Sequence, residues 1–279
     1  MRHYLQFGRF GFTLQGRGGK ALVMGILNVT PDSFADGGRF QSLEFALSRA
    51  EDMIGAGADI IDIGGESSRP GAPALSLAEE LQRVMPVLYA LRGCDRPLSV
   101  DTYKPEVMRE AIVARADMIN DINAFRAPGA IDAVRASDCA LCIMHMQRDP
   151  STMQQRPVYQ DVVREVIAFL RERVDALCAA GIARERLCVD PGFGFGKTVE
   201  HNFALLKAVG QIQAELELPV LAGLSRKSML GAVTGQPVEL RLAASLAGAL
   251  AAVAHGAQII RVHDVAETVD ALKVWQAAR

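Results

Sequence analysis

The stretch Gly57-Ala58-Asp59-Ile60-Ile61 returns in outline as Gly256-Ala257-Gln258-Ile259-Ile260. In each, a glycine closes a helical pattern and β-branched residues open a strand. Working outward from these two junctions, a short apolar run and an amphipathic helix alternate along the whole chain. The strand runs are 22–28, 60–63, 98–100, 118–122, 140–146, 187–189, 220–224 and 259–262. The helical patterns after them are 43–54, 77–91, 105–114, 130–136, 162–180, 202–216, 240–254 (after a short helix) and 265–278. Ser76 and Glu79 form a capping-box pattern at the start of the second. Residues 4–15 read as a small hairpin turning near Gly8 and Gly11.

Eight strand-then-helix units in 279 residues predict an α/β fold, a (β/α)8 TIM barrel with an N-terminal β-hairpin. A doubly wound open sheet gives a similar pattern and stays as the alternative. No Pro/Gly/Ser linker divides the chain, so residues 1–279 read as one domain.

The bulk properties narrow the function classes. A net charge of −2 gives no nucleic-acid footprint and no attraction to an anionic membrane. Residues 1–17 carry three arginines without an apolar core, so no signal peptide is read. The Ala-rich helix at 242–254 is too short to span a bilayer. The five cysteines are odd in number and scattered, as reduced thiols of a cytoplasmic protein are. Cys139 and Cys142 form a C-x-x-C pair, but three-residue spacing on a strand puts them on opposite faces, and no second pair completes a zinc site.

The polar residues gather at the C-terminal ends of the strands. These ends carry Asn28; Gly64, Glu66, Ser68 and Arg69; Asp101; Asn120; Met144 and His145; Asp190; Ser225, Arg226 and Lys227; Arg261 and His263. In a barrel that rim is where active sites are built. Asp101, Asn120 and Asp190 follow apolar runs and must find partners, because an unpartnered buried polar group costs roughly 2–7 kcal/mol. The partner is a ligand or an internal network such as Lys227 with Asp101 or Asp190. Closure brings Arg69, Arg261 and His263 together with Asn28, a set suited to a phosphorylated group beside Mg²⁺. His145 faces away from Met144. The segment Pro191–Thr198 is glycine-rich and ends in Lys197, but Pro191 stands where the nucleotide-loop pattern needs glycine. Its two phenylalanines suit packing on a flat ring, or the segment is an ordinary turn.

The motifs GILNVTPDSFADGG, IDIGGESSRPGA, SVDTYKPEV, MINDINA, MHMQ, VDPGFGFGK, GLSRKSM and IRVHDV fall in order on these strand ends. Together they closely resemble the dihydropteroate synthase family over almost the whole chain. The resemblance implies a pterin-binding barrel that condenses 6-hydroxymethyl-7,8-dihydropterin diphosphate with 4-aminobenzoate, releasing pyrophosphate. It implies a pterin site of Asp101, Asn120, Met144, Asp190, Gly223 and Lys227. A diphosphate site of Asn28, Ser68, Arg69, Arg261 and His263 follows, with Mg²⁺ on Asn28 and Asp36. The 4-aminobenzoate site would be Phe34, Ser68, Arg69, Pro70, Phe195 and Ser228. The reacting groups would be Asp101, Asp190, Lys227, Arg261 and His263, with pyrophosphate lost before the amine attacks. A cytoplasmic homodimer is implied as well. Two departures stand out: Ser68 where the family usually has Thr, and Arg148-Asp149 where a glycine commonly follows MHMQ. The competing readings are a non-catalytic pterin-binding paralogue, which would show degenerate first and second loops, and a folate-dependent methyltransferase, which predicts neither the NVTPDSF loop nor a diphosphate cradle.

Overall fold

The computed structural model describes residues 2–15, 19–29, 39–67, 74–149, 152–154 and 157–279. Strands β1 (Arg2–Phe7) and β2 (Phe10–Gln15) pair antiparallel from Arg2↔Gln15 to Phe7↔Phe10, turning at Gly8-Arg9. Then come β3 (Leu22–Asn28), β4 (Ile60–Gly64), β5 (Leu98–Asp101), β6 (Met118–Asp121), β7 (Ala140–Met144), β8 (Leu187–Asp190), β9 (Leu221–Ala222) and β10 (Ile259–Val262). All pair parallel in the order β8-β7-β6-β5-β4-β3-β10-β9. The ends meet through a bridge between Val189 and Val220 and a 2.9 Å bond from Val189 N–H to the Pro219 carbonyl. The sheet therefore curls nearly closed and has no reversal of strand order, which rules out the doubly wound alternative.

The strands alternate as a barrel demands. Val23, Ile61, Val100, Ile119, Leu141, Val189, Ala222 and Ile260 face outward into the main helix–strand core. Met24, Ile60, Met118, Ala140, Cys142, Cys188, Leu221 and Ile259 face inward, where they meet Leu5, Phe7 and Leu14 of the hairpin. The hairpin thus plugs the N-terminal mouth of the barrel. It is tied there by Gly8 N–H to the Asp138 carbonyl at 3.2 Å and by Arg9 to Asp117 at 3.2 Å. Cys139 joins the outer core and Cys142 the inner one, the opposite faces their spacing predicts.

The helices are α1 (Arg39–Gly55), α2 (Leu77–Leu91), α3 (Pro105–Val113), α4 (Ala130–Val134), α5 (Val162–Ala179), α6 (Val199–Lys207), α7 (Val209–Leu216), α8 (Ser228–Thr234), α9 (Leu242–His255) and α10 (Val265–Ala277). The Ser76/Glu79 capping box forms at α2. The pattern at 202–216 predicts one helix, but the structure has two, broken at Ala208. A Cβ on Gly210 would come within 2.9 Å of the His255 carbonyl, so α7 is docked tightly on the end of α9. No helix among the described residues is long and apolar enough to cross a membrane.

Candidate active site

Register places the polar strand ends side by side. Asn28 pairs with Gly64, Gly64 with Asp101, Asp101 with Asn120, and Met144 with Asp190. Arg261 reaches across the barrel from β10. Its Nε donates to Asp62 Oδ2 at 2.6 Å and its Nη2 to Asp101 Oδ2 at 2.7 Å. Asn120 Nδ2 donates to the same Asp62 oxygen at 3.4 Å. Asp190 Oδ1 accepts from Gly192 N–H at 2.6 Å. That turn needs glycine: Gly192 has φ +71°, and a Cβ there would lie 1.8 Å from the His145 carbonyl.

Lys227 donates to the Phe193 carbonyl, and its ammonium lies 4.9 Å from the centroid of the Phe195 ring. Arg226, just before it, holds φ +59°, a conformation uncommon away from glycine. Asp264 clamps the Arg226 guanidinium, and Arg241 donates to its carbonyl at 3.0 Å. Gly223 lies between Lys227 and Arg261: a Cβ there would sit 3.8 Å from Lys227 Nζ and 3.7 Å from Arg261 Cβ, in ordinary contact with both. Beside the charged groups, Met144, Ile122, Met146 and Met153 form an apolar cluster with Phe195 packed against it. Carboxylates, an ammonium and an apolar cluster thus meet at one rim, which is the chemistry a hydrogen-bonding heterocycle requires.

His263 stands at the end of β10. Its N–H donates to Ser225 Oγ at 3.2 Å, and its Nδ1 is 3.0 Å from the same oxygen, so Ser225 sets the ring's orientation. Beside it a cavity of about 180 Å³ opens between β3 and α1, with Asn28, Arg49, Arg226 and His263 at its polar side and Phe45 and Met53 at its apolar side. Ser228 is exposed at the first position of α8, next to Lys227. Phe34, Asp36, Ser68, Arg69 and Pro70 lie outside the described residues.

Residues 24–263 match the family described as pterin binding enzyme. The chain is 54% identical to the dihydropteroate synthase of Haemophilus influenzae, covering 91% of this chain and 93% of that one. The chain belongs to the dihydropteroate synthase family. It is an enzyme of folate synthesis, a transferase. A Burkholderia cenocepacia dihydropteroate synthase complexed with 7,8-dihydropteroate superposes with a TM-score of 0.90 at 54% identity, covering 100% of this chain and 98% of that one. A Xanthomonas albilineans dihydropteroate synthase with 4-aminobenzoic acid gives 0.91 at 49% identity, with the same coverage.

Within this dihydropteroate synthase barrel, burial shifts the site's charges in a consistent direction. It raises Asp101, against the pull of Arg261, and it raises Asp190, against Lys227. It pushes Lys227 down to about 8, with Asp190 holding it up. Burial also works against the Arg261 charge, but Asp62 and Asp101 outweigh it and keep the guanidinium protonated. Carboxylates that resist ionisation and a lysine that resists protonation are groups waiting for a partner.

Two residues play parts that strand-end reading does not find. Asp62 is fully buried on the inner face of β4 and anchors Arg261. Its signal was present: two residues before Gly64, it faces the same way. Lys197 is turned inward, donating to the Gly192 and Phe195 carbonyls at 2.9 Å each, with its Nζ 2.9 Å from His145 Nδ1. It staples the glycine-rich loop and is not presented to a phosphate. Burial, then Lys197, pushes the His145 ring down to about 2, so His145 is a neutral ring buried under that loop.

Proposed function

We propose that the chain condenses 6-hydroxymethyl-7,8-dihydropterin diphosphate with 4-aminobenzoate to give 7,8-dihydropteroate and pyrophosphate. The observation that carries this is the rim itself, where Asp101, Asn120, Asp190 and Lys227 stand beside Met144 and Phe195. In this reading the carboxylates accept from ring and exocyclic N–H groups, while Lys227 donates to ring acceptors. Gly223 lines the same space, and Met144 covers one face of the ring.

The carbon–oxygen bond to the diphosphate breaks first, its electron pair leaving with pyrophosphate. Positive charge then spreads into the pterin, facing Asp101 and Asp190, whose preorganised negative ends lower the barrier. Arg261, His263 and Asn28 receive the leaving group, with Ser68 and Arg69. The aromatic amine attacks the exposed methylene carbon, held by Phe34, Pro70, Phe195 and Ser228, and loses its proton to water or to the departing phosphate. No covalent enzyme intermediate is needed.

Magnesium suits this site. Asn28, at the end of β3, is a hard oxygen donor whose Oδ1 lies 3.7 Å from where a Cβ on Gly64 would be, a position that glycine leaves open. Asn28 and Asp36 are the residues we assign to Mg²⁺, which takes few protein oxygens and completes its shell with water and phosphate. When bound, the ion would neutralise diphosphate charge.

A homodimer is the assembly we propose, through the face on which Val233, Val238, Leu240 and Leu242 are exposed in and before α9. A cytoplasmic setting fits the free cysteines. The test of the activity supplies the dihydropterin diphosphate, 4-aminobenzoate and Mg²⁺ and follows both products. Formation of pyrophosphate and dihydropteroate in equal amounts is expected; no product under any metal condition overturns the reading. Sedimentation at micromolar concentration should give twice the monomer mass, and a monomer would refute the dimer.

A further inference from the structure

Arg261 is held by two carboxylates that differ in kind. Asp101 stands at the rim, with 13% of its side chain exposed, whereas Asp62 is 0% exposed on the barrel floor. Of the two, Asp101 is the one open to a ligand at the C-terminal mouth. The two bonds use different nitrogens of the guanidinium, Nε to Asp62 and Nη2 to Asp101, so one can be exchanged while the other is kept. A planar fork gripped at Nε keeps its position while its Nη edge changes partner.

The floor is costly to keep. Asp62 Oδ1 and Ser99 Oγ are both buried with no hydrogen-bond partner among the described residues, and they are register neighbours on β4 and β5. An unsatisfied buried carboxylate oxygen destabilises a fold, so an acid at the barrel's centre is retained for what it holds. It holds Arg261, and at 3.4 Å it also takes the Asn120 amide nitrogen.

We propose that Asp62 is a positioning residue: it fixes Arg261 through Nε so that the Nη edge exchanges Asp101 for the substrate's diphosphate when the pterin binds. Asp101, released, turns to accept from the pterin ring. In the ligand-free state the Arg261–Asp101 bond satisfies both groups; in the complex the substrate satisfies both. Asp62 stays in place throughout. This rests on the pterin and diphosphate assignments above.

The test compares two ligands by calorimetry, 6-hydroxymethylpterin and its diphosphate, on the full chain and on Asp62→Asn. Wild type binding neither ligand would fail the underlying assignment; wild type binding the diphosphate more tightly leaves the variant to decide. Loss of one well-placed charged hydrogen bond predicts a weakening of about 10- to 100-fold for the diphosphate compound, with the pterin alone changing less than about threefold. In an Arg261→Lys background, which lacks the fork, the Asp62→Asn change should add little. An equal loss for both ligands overturns the proposal, since Asp62 would then only support the pterin site; so does no loss for either. If the Asn variant does not fold, Asp62→Ser is measured against the same two outcomes.

Discussion

Replacing Asp190 tests the pterin assignment most directly. Its carboxylate is buried at the end of β8, held by Gly192 N–H at 2.6 Å, with Lys227 as the leading favourable charge. Asp190→Ala removes two charge-assisted acceptors from the site. At roughly 1.5–3 kcal/mol per charged bond, that is about 3–6 kcal/mol of pterin affinity, or about 10²- to 10⁴-fold. Lys227 also loses the group that holds its proton, so its donor role weakens further. Titration calorimetry with the dihydropterin diphosphate measures the loss, with thermal melting as a check on folding. Asp121 supplies the control: it is as buried, and burial raises it to about 7, but its oxygens accept from Asn123 N–H at 2.6 Å and Phe125 N–H at 2.7 Å, not from the site. Asp121→Asn should cost stability and leave affinity alone. A folded Asp190→Ala protein binding pterin within about threefold of wild type would remove Asp190 from the site.

Pterin affinity should follow a bell in pH. Asp101, raised to about 7, must ionise to accept from the ring, so affinity climbs through that value; Lys227, lowered to about 8, loses its ammonium above it. The stability signs run the other way: the Asp101 contribution is present below 3.8 and lost as pH rises toward about 7, while the penalty of burying charged Lys227 fades from about 8 toward 10.5. Flat binding from about pH 6 to 9 would contradict both assignments. Lys104→Met should lower stability by about 3–5 kcal/mol in urea, because it leaves Glu80, 1% exposed, and Glu66 without their shared cation; a loss under about 1 kcal/mol would mean the cluster is solvated. Phe7→Ala should cost about 3–5 kcal/mol, as Phe7 is fully buried in the plug and meets Phe12 edge-on at 5.3 Å. Pterin affinity at the opposite mouth should not change, and a change there would mean the plug shapes the site.

The barrel was legible because its signals are local and periodic: each strand announces itself in a few β-branched residues, and Gly57 and Gly256 close helices at φ +99° and +115° as their spacing predicts. The break at Ala208 was not, since no proline marks it, and the close approach of Gly210 to the end of α9 is a tertiary contact that local sequence does not announce. The plug's role was hidden for the same reason; a hairpin's residues do not name the strands they will touch. At the site, the strand ends yielded the rim, where register sets Asp101 beside Asn120 and Met144 beside Asp190. What no strand end could reveal is who pairs with whom, because Arg261 meets acids 199 and 160 positions away. Yet the floor obeys the rule that found the rim. Side chains two residues apart on a strand face the same way, so stepping back from Asp101 gives Ser99 and from Gly64 gives Asp62. An acid in that second layer, inside an otherwise apolar run, has no solvent to ionise into and must be matched by a cation from across the barrel. Of the basic strand residues, Arg261 is the one whose own position on β10, between Ile259 inside and His263 at the rim, points it there.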